Sequence, residues 1–208
     1  MAIKAILFNA EMVRAILEGR KSCTRRIVKP QQLIGMLPDK CKNGAPEKFL
    51  KEKKLMFKPY CDMTDIELIN TAYKAPYQPG DILYVRETWK KAPNGYYYYE
   101  DWQRNDIADV TKWKPSIRMP KEAARIWLKV TDVRVERLQE ISAESALAEG
   151  ADKYIHTNGG LDENMTITSF IGIWNSTIKK SDIDRYGWDA NPYVWIIEFE
   201  RCEKPEGV

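Results

Sequence analysis

The sequence predicts an α+β domain: a mostly antiparallel sheet curled into a small β-barrel and flanked by helices. Three observations predict it. The periodic segments run strand, helix, several strands, two helices, strand, which is not a repeated βαβ order. The clearest strand changes the phase of its alternation partway along, as a strand bending round a barrel does. Neither a GxGxxG stretch nor a P-loop occurs, so nucleotide-cofactor folds lose support. At 208 residues the chain suits one domain, residues 1–208, carrying a long insertion at about 31–78.

Ile3–Phe8 reads as the first strand. Asn9 is a natural N-cap and Glu11 suits a first helical turn. Met12, Val13, Ile16 and Leu17 form an apolar face that ends at Gly19, a C′ residue. Arg20–Arg26 is polar and basic, and Ile27–Val28 opens a short strand stopped by Pro30. Residues 31–78 lack periodicity and are interrupted by prolines, with a short helix expected near Pro46–Leu55. Pro79-Gly80-Asp81 is a turn, and Ile82–Trp89 a strand with Leu83, Val85, Glu87 and Trp89 on one face. Asn94-Gly95 marks a hairpin before Tyr96–Tyr99, whose tyrosines read as strand aromatics rather than a base-stacking platform. In Arg125–Leu138 the apolar positions are even at Ile126, Leu128 and Val130, then odd at Val133 and Val135, a slip near Thr131-Asp132. Ser142 and Ser145 precede a short helix ending at Gly150. Thr166–Lys180 reads as a helix with Phe170, Ile171, Trp174 and Ile178 on its core face. Tyr193–Phe199 is the last strand, with Trp195, Ile197 and Phe199 on one side and Glu198 and Glu200 on the other.

Composition narrows the chemistry. Apolar residues make up 44% and charged residues 30%, a globular balance. No apolar run approaches the roughly 18 residues of a membrane span, and no leader-type cleavage site follows Met1–Ala10, so a cytoplasmic location is expected. The four cysteines, Cys23, Cys41, Cys61 and Cys202, form no CxxC pair, and His156 is the only histidine. Free thiols are expected, with no metal, no cofactor and no Ser-His-Asp triad. Residues 1–60 carry 14 Lys+Arg against 5 Asp+Glu and the rest 19 against 25, so +9 and −6 within a net +3. That basic first third fits an anionic partner such as nucleic acid, or equally a solvated lysine-rich loop.

Two segments can carry chemistry. Gly19–Arg26 holds four cations and three small nucleophile-capable side chains within eight residues. In a helical turn Lys21 and Thr24 point the same way; in an extended chain Thr24 and Arg26 do. A lysine partly buried beside other cations can serve as a general base toward a threonine or a water. A basic surface turn is the alternative. In the second segment, Val85-Arg86-Glu87-Thr88-Trp89, Glu87 sits at the edge of an apolar interior. It needs a cationic partner, for which Lys21, Arg26 and Arg86 are candidates, or it takes up a proton. A plain structural salt bridge is the alternative there.

Gly19-x-Lys21-x-x-Thr24-x-Arg26 resembles the GxKxxTxR signature of ASCH domains, members of the PUA-like superfamily. Further stretches resemble ASCH proteins of phage and prophage type: Ile6–Asn9 with Glu11-Met12-Val13, Gly80-Asp81 with Val85–Trp89, Trp113–Ile117, and Thr131–Leu138. The resemblance spans most of the chain outside 31–78. It implies a PUA-like small β-barrel flanked by helices, with the signature lining a cleft at the barrel mouth. It implies a nucleoside or nucleic-acid partner, RNA rather than DNA, and no cofactor. Some ASCH proteins are amidohydrolases that deacetylate N4-acetylcytidine through a lysine, a threonine and a glutamate, here Lys21, Thr24 and Glu87. Arg26, Arg86, Trp89, Ser116 and Arg118 are the substrate-binding candidates. Nuclease activity is also proposed for ASCH proteins, and a non-catalytic RNA, DNA or modified-base binding module or a phage accessory protein are the alternatives. One departure stands near residue 120: phage-type relatives follow Ser-Ile-x-Met-Pro with Arg-Trp, whereas Met119-Pro120 is followed here by Lys121-Glu122. Glu122 cannot stack on a base as tryptophan does.

Overall fold

The computed structural model describes residues 1–29, 65–102 and 112–207. The expected helix near Pro46–Leu55, most of the 31–78 insertion, and Cys41 and Cys61 lie outside the described residues.

Strand β1, Ile3–Leu7, leads into helix α1, Ala10–Leu17. The Asn9 side chain accepts from the Met12 amide at 2.8 Å, satisfying one of the orphan donors of the first turn. The helix ends at Gly19, whose φ of +74° suits a residue without Cβ. Strand β2 is Cys23–Ile27, four residues earlier than the short strand expected at Ile27–Val28. The reason is that its polar and charged residues go inward: Thr24 and Arg25 are buried beside Cys23. A strand that buries ion pairs shows no apolar alternation.

Helix α2, Asp65–Ala72, precedes β3, Ile82–Arg86. The strand expected through Trp89 stops at Arg86, and Trp89 begins a separate hairpin: β4, Trp89–Ala92, and β5, Gly95–Tyr98. The break changes the phase. Leu83 and Val85 join the main core, whereas Trp89 packs in a different cluster with Ile82, Met119 and Trp127. Trp89 therefore does not share a face with Leu83 and Val85. Helix α3, Tyr99–Trp102, follows, and then the long strand β6, Trp127–Arg137.

β6 carries the slip read from its alternation. Its pairing with the last strand shifts between Val130 and Asp132, so Thr131 has no partner in the register. One extra residue restores the facing of the side chains. Leu128, Val130 and Val135 all enter the same core cluster, with Val133 packed against it.

Helix α4, Ala143–Ala148, starts at Ser142, whose hydroxyl accepts from the Ser145 amide. Helix α5 is Glu163–Thr177, three residues ahead of expectation because Asp162 supplies the N-cap, accepting from the Met165 amide at 3.0 Å. Phe170 and Trp174 are buried as expected. After the short helix α6, Ile183–Tyr186, strand β7 runs Tyr193–Cys202. Trp195, Ile197 and Phe199 face the main core, and Val194 and Ile196 on the opposite side are buried against Phe170 and Trp174. Only the far end of that second face is left to Glu198 and Glu200.

The five main strands form one sheet in the order β1-β3-β6-β7-β2. The β1–β3 pair is parallel and the others are antiparallel. This is the mixed α+β architecture expected, with one correction. The sheet is open: among the described residues no ladder joins the edge strands β1 and β2, so a closed barrel is not formed. Side chains cover the free edge of β1 instead. Tyr77 donates its hydroxyl to the Ala5 carbonyl at 2.9 Å, and Arg26 reaches from β2 to the Leu7 carbonyl at 3.2 Å. Alternation along each strand does not encode which strands pair, and here β1 and β2, 19 residues apart at Leu7 and Arg26, meet through a side chain instead of a ladder.

Candidate ligand cleft and its buried charges

A cleft of about 630 Å³ opens where the two sheet edges face each other. From β1 and the start of α1 come Ala5, Leu7, Phe8, Asn9 and Met12; β2 supplies Arg25, Arg26 and Ile27. Tyr77, Thr88 and Ser116 close one side, and Trp174, Thr177 and Ile178 at the end of α5 the other. The sheet positions Arg26 because β2 is an edge strand: its guanidinium can cross the gap rather than meet a sixth strand. It donates to Thr24 Oγ1 at 2.8 Å, to the Arg25 carbonyl at 3.1 Å and to the Leu7 carbonyl at 3.2 Å, with the Phe8 ring 5.5 Å away. Burial pulls the Arg26 pKa below the usual guanidinium value, opposed by Glu149 and Tyr77.

Behind the cleft lies a buried ion cluster. The Lys21 side chain is fully buried and its Nζ donates to three acceptors: the Cys23 carbonyl, the Glu149 carbonyl and Glu149 Oε2, at 2.8, 2.8 and 2.7 Å. Arg25 Nη1 donates to Glu149 Oε1 at 3.2 Å, and its guanidinium lies 5.7 Å from the Phe170 ring. One carboxylate thus holds two buried cations. Gly150 makes room for this: a Cβ there would meet the Ala15 Cβ at 3.1 Å and the Lys21 Cβ at 3.8 Å, at a φ of +96°. The neighbouring Cys23 thiol is pushed up to about 12, by burial first and Glu149 second, so it stays protonated.

Glu87 sits in a second cluster. It is buried, and its two oxygens accept from Arg125 Nε and Nη2, each at 2.9 Å. Arg125 Nη1 also holds Asp101, and the Tyr98 ring lies 4.1 Å beneath the guanidinium. The partner of Glu87 is therefore Arg125, not Lys21, Arg26 or Arg86. Burial raises the Glu87 carboxyl above its ordinary value of 4.5, with Arg125 opposing and Asp101 and Glu100 adding to the rise. A raised carboxyl makes the folded state bind the extra proton. Its contribution is present below pH 4.5 and is lost as pH rises through the raised value. Urea unfolding of wild type and Glu87→Gln over an acid-to-neutral series is expected to show this. The stability difference should fall with rising pH in favour of the glutamine protein; a pH-independent difference contradicts the assignment.

The structure thus brings some of the sequence-predicted residues together and keeps others apart. Thr24 and Arg26 are hydrogen-bonded, and Arg26 and Ser116 line the cleft. No hydrogen bond or ion pair joins Lys21, Thr24 and Glu87 among the described residues. Arg86 donates to the Met119 carbonyl at 2.8 Å. Trp89 is buried, with Lys114 Nζ 5.0 Å from its ring and Tyr96 packed against it. Arg118 is exposed, as are Lys121 and Glu122. None of these five residues lines the cleft. Sequence reasoning passed over Arg25, Glu149, Arg125 and Tyr77. Arg25 had a signal, a fourth cation in a short run, but the other three act through partners from distant elements. Among the described residues no group of three or more His, Cys, Asp or Glu is placed to hold a metal ion, and no helix is long and apolar enough to cross a membrane.

No protein-family model matches the chain, and no curated protein sequence matches it. Among solved structures it is similar to the crystal structure of an ASCH domain from Lactobacillus crispatus JV V101. The two share 10% identity at a TM-score of 0.39, over 96% of this chain and 79% of that one.

Proposed function

We propose that the protein recognises a nucleobase in the cleft between β1 and β2, carried by a nucleoside or by nucleic acid, RNA in preference to DNA. The observation that carries this is the make-up of the cleft. Its volume is in the range of small-ligand sites, about 300–1,000 Å³. The half-buried Tyr77 and two buried core aromatics, Phe8 and Trp174, line it together with the hydrogen-bonding groups of Asn9, Thr88 and Ser116. Aromatic faces bind base planes, and convergent amides and hydroxyls read base edges. The resemblance of Gly19–Arg26 to the ASCH signature points the same way.

A second reading, hydrolysis of an N4-acylated cytidine, is favoured by one contact and one pKa shift. Arg26 donates to Thr24 Oγ1, leaving the hydroxyl proton free to be removed. Glu87 is a buried carboxyl with a raised pKa, and it would protonate a leaving exocyclic amine only with one of its oxygens released from Arg125. In this reading Lys21 first passes a proton to Glu149, 2.7 Å away, and then takes the proton of Thr24 or of a water. The nucleophile attacks the acyl carbon, and the C–N4 bond breaks as Glu87 protonates the nitrogen. Water then completes release of the carboxylic acid if Thr24 was acylated.

The test is a titration of the purified protein with N4-acetylcytidine, the four common ribonucleosides and a short single-stranded RNA. Tryptophan emission is followed beside a Trp174→Phe control, and cytidine release is followed by chromatography. Saturable quenching that depends on Trp174 is expected. No saturable response to any of these ligands contradicts base recognition. Cytidine release that vanishes in Lys21→Ala and Glu87→Gln is the result expected of the hydrolytic reading, and bound but unreleased N4-acetylcytidine sinks it.

A further inference from the structure

Two lysines beside the cleft are held in place but not neutralised. Lys114 exchanges backbone hydrogen bonds with Trp89 at 2.8 and 3.1 Å, and its Nζ stands 5.0 Å from the Trp89 ring. The Trp89 ring packs on Tyr96, and Lys91 Nζ stands 5.7 Å from the Tyr96 ring. The register explains the grouping. Trp89 and Lys91 are two apart on β4, Tyr96 lies opposite Lys91, and Lys114 bridges Trp89, so the four side chains share one face. Trp89 is buried and Tyr96 half-buried, whereas both lysines are exposed. The rings therefore carry the lysine stems and leave the ammonium groups to solvent. Neither ammonium meets a carboxylate among the described residues, although Lys4, Lys21 and Lys129 each do.

A second observation is where this face lies. Thr88, which precedes Trp89, and Ser116, two residues after Lys114, line the same side of the cleft. Pro115 is extended, at φ −65° and ψ 149°, and leads into the turn Ser116–Arg118. Beyond it Met119 is fully buried and its carbonyl accepts from Arg86 at 2.8 Å. That anchor fixes the turn against the sheet and leaves Arg118 outside, exposed and with no carboxylate partner among the described residues. Over residues 112–122 the exposed charges are Lys112, Lys114, Arg118 and Lys121 against Glu122 alone. The excess is local, since residues 61–208 as a whole total −6. Lys91, Lys114 and Arg118 do not line the cleft itself. Lys114 stands about 7 Å of extended chain from Ser116, so these cations serve a ligand that extends past the cleft wall.

We propose that a single-stranded RNA with one base in the cleft leaves it over Thr88 and Ser116, and that the phosphates next to that base lie on Lys114, Arg118 and Lys91. Exposed cations with no counter-ion release condensed ions when they take up a phosphate backbone, and they do so for any base sequence. A free nucleotide in the cleft leaves this surface unused. An acidic protein would meet the same cations but has no use for the cleft they adjoin. The inference rests on the base-recognition reading and deepens it: the ligand is a strand rather than a free nucleoside, and its direction across the fold is set.

The test is calorimetric titration with cytidine 5′-monophosphate and with a single-stranded RNA of about six nucleotides. Salt runs from about 50 to about 500 mM, and wild type is set beside the triple variant Lys91→Gln/Lys114→Gln/Arg118→Gln. All three positions are exposed, and a thermal melt checks that the variant folds. The RNA is expected to bind wild type at least about 10-fold tighter than the monophosphate at low salt. Its log affinity should fall against log salt with a slope of about −2, from three contacts at about 0.7 each. The triple variant should bind the monophosphate as wild type does, lose the RNA advantage and flatten the slope. An advantage and slope that survive in the variant overturn the proposal, as does equal affinity of wild type for the two ligands. Loss of the advantage instead in Lys179→Gln/Lys180→Gln, which follow Ile178 on the opposite wall, also overturns it, since the strand then leaves the other way. RNA binding that weakens in the triple variant without any monophosphate binding supports the basic surface and overturns base recognition. Binding of neither ligand overturns both.

Discussion

Glu149→Ala is expected to cost about 3–5 kcal/mol of unfolding free energy, the usual loss when one partner of a buried ion pair is removed. The substitution strands Lys21 and Arg25 together, both nearly inaccessible, with no carboxylate between them. Lys21 would keep two neutral acceptors, the carbonyls of Cys23 and residue 149, and Arg25 Nη1 would keep only the Cys23 sulfur at 3.9 Å. Two like charges in low dielectric then repel without an intervening anion. For a domain of this size the loss is on the order of 10 °C in Tm. Glu149→Gln keeps an acceptor and should fall between the two proteins. Urea unfolding checks this, and a loss under about 1 kcal/mol would mean the carboxylate does not hold the cluster.

Deletion of Thr131 is expected to abolish cooperative folding. Thr131 is the unpaired residue that lets Leu128 and Val130 share a core face with Val133 and Val135. Removing it forces one of those pairs to the opposite face unless the strand bulges elsewhere. Each such side chain is worth roughly 1.5–3 kcal/mol of burial, so two of them take a large part of a typical stability of about 5–15 kcal/mol. Thr131→Ser keeps the residue count and should melt within a few degrees of wild type. Circular dichroism and thermal melts of the two proteins decide it; a deletion protein with a near-normal, cooperative melt contradicts the bulge's role.

The legible parts of this molecule were those written as local spacing. The phase slip in β6, the caps at Asn9 and Ser142, the turn at Gly80 and the hairpin at Asn94-Gly95 are all patterns within a dozen residues. What spacing does not carry is the identity of a distant partner. Lys21 and Glu149 are 128 residues apart, and Glu87 and Arg125 are 38 apart. For the same reason the local sequence leaves β2 open between a basic turn and an extended chain: its buried charges meet Glu149, the residue that caps the end of α4. Trp89 was misplaced because alternation was carried through the break at Glu87-Thr88. Of the two conformations that the sequence leaves open for Lys21–Arg26, the structure takes the extended one from Cys23 on, and a hydrogen bond joins Thr24 and Arg26. Lys21 and Glu87, named from the same resemblance, each have another partner.

The most direct test of the cleft between β1 and β2 as the ligand site is an amide chemical-shift titration of the labelled protein with cytidine 5′-monophosphate. Saturating shifts are expected at Phe8, Asn9, Arg26, Thr88, Ser116 and Thr177, on both walls of the cleft, with the β4–β5 hairpin unmoved. Shifts gathered instead on Lys90–Tyr97 of that hairpin, or none at all, would contradict it.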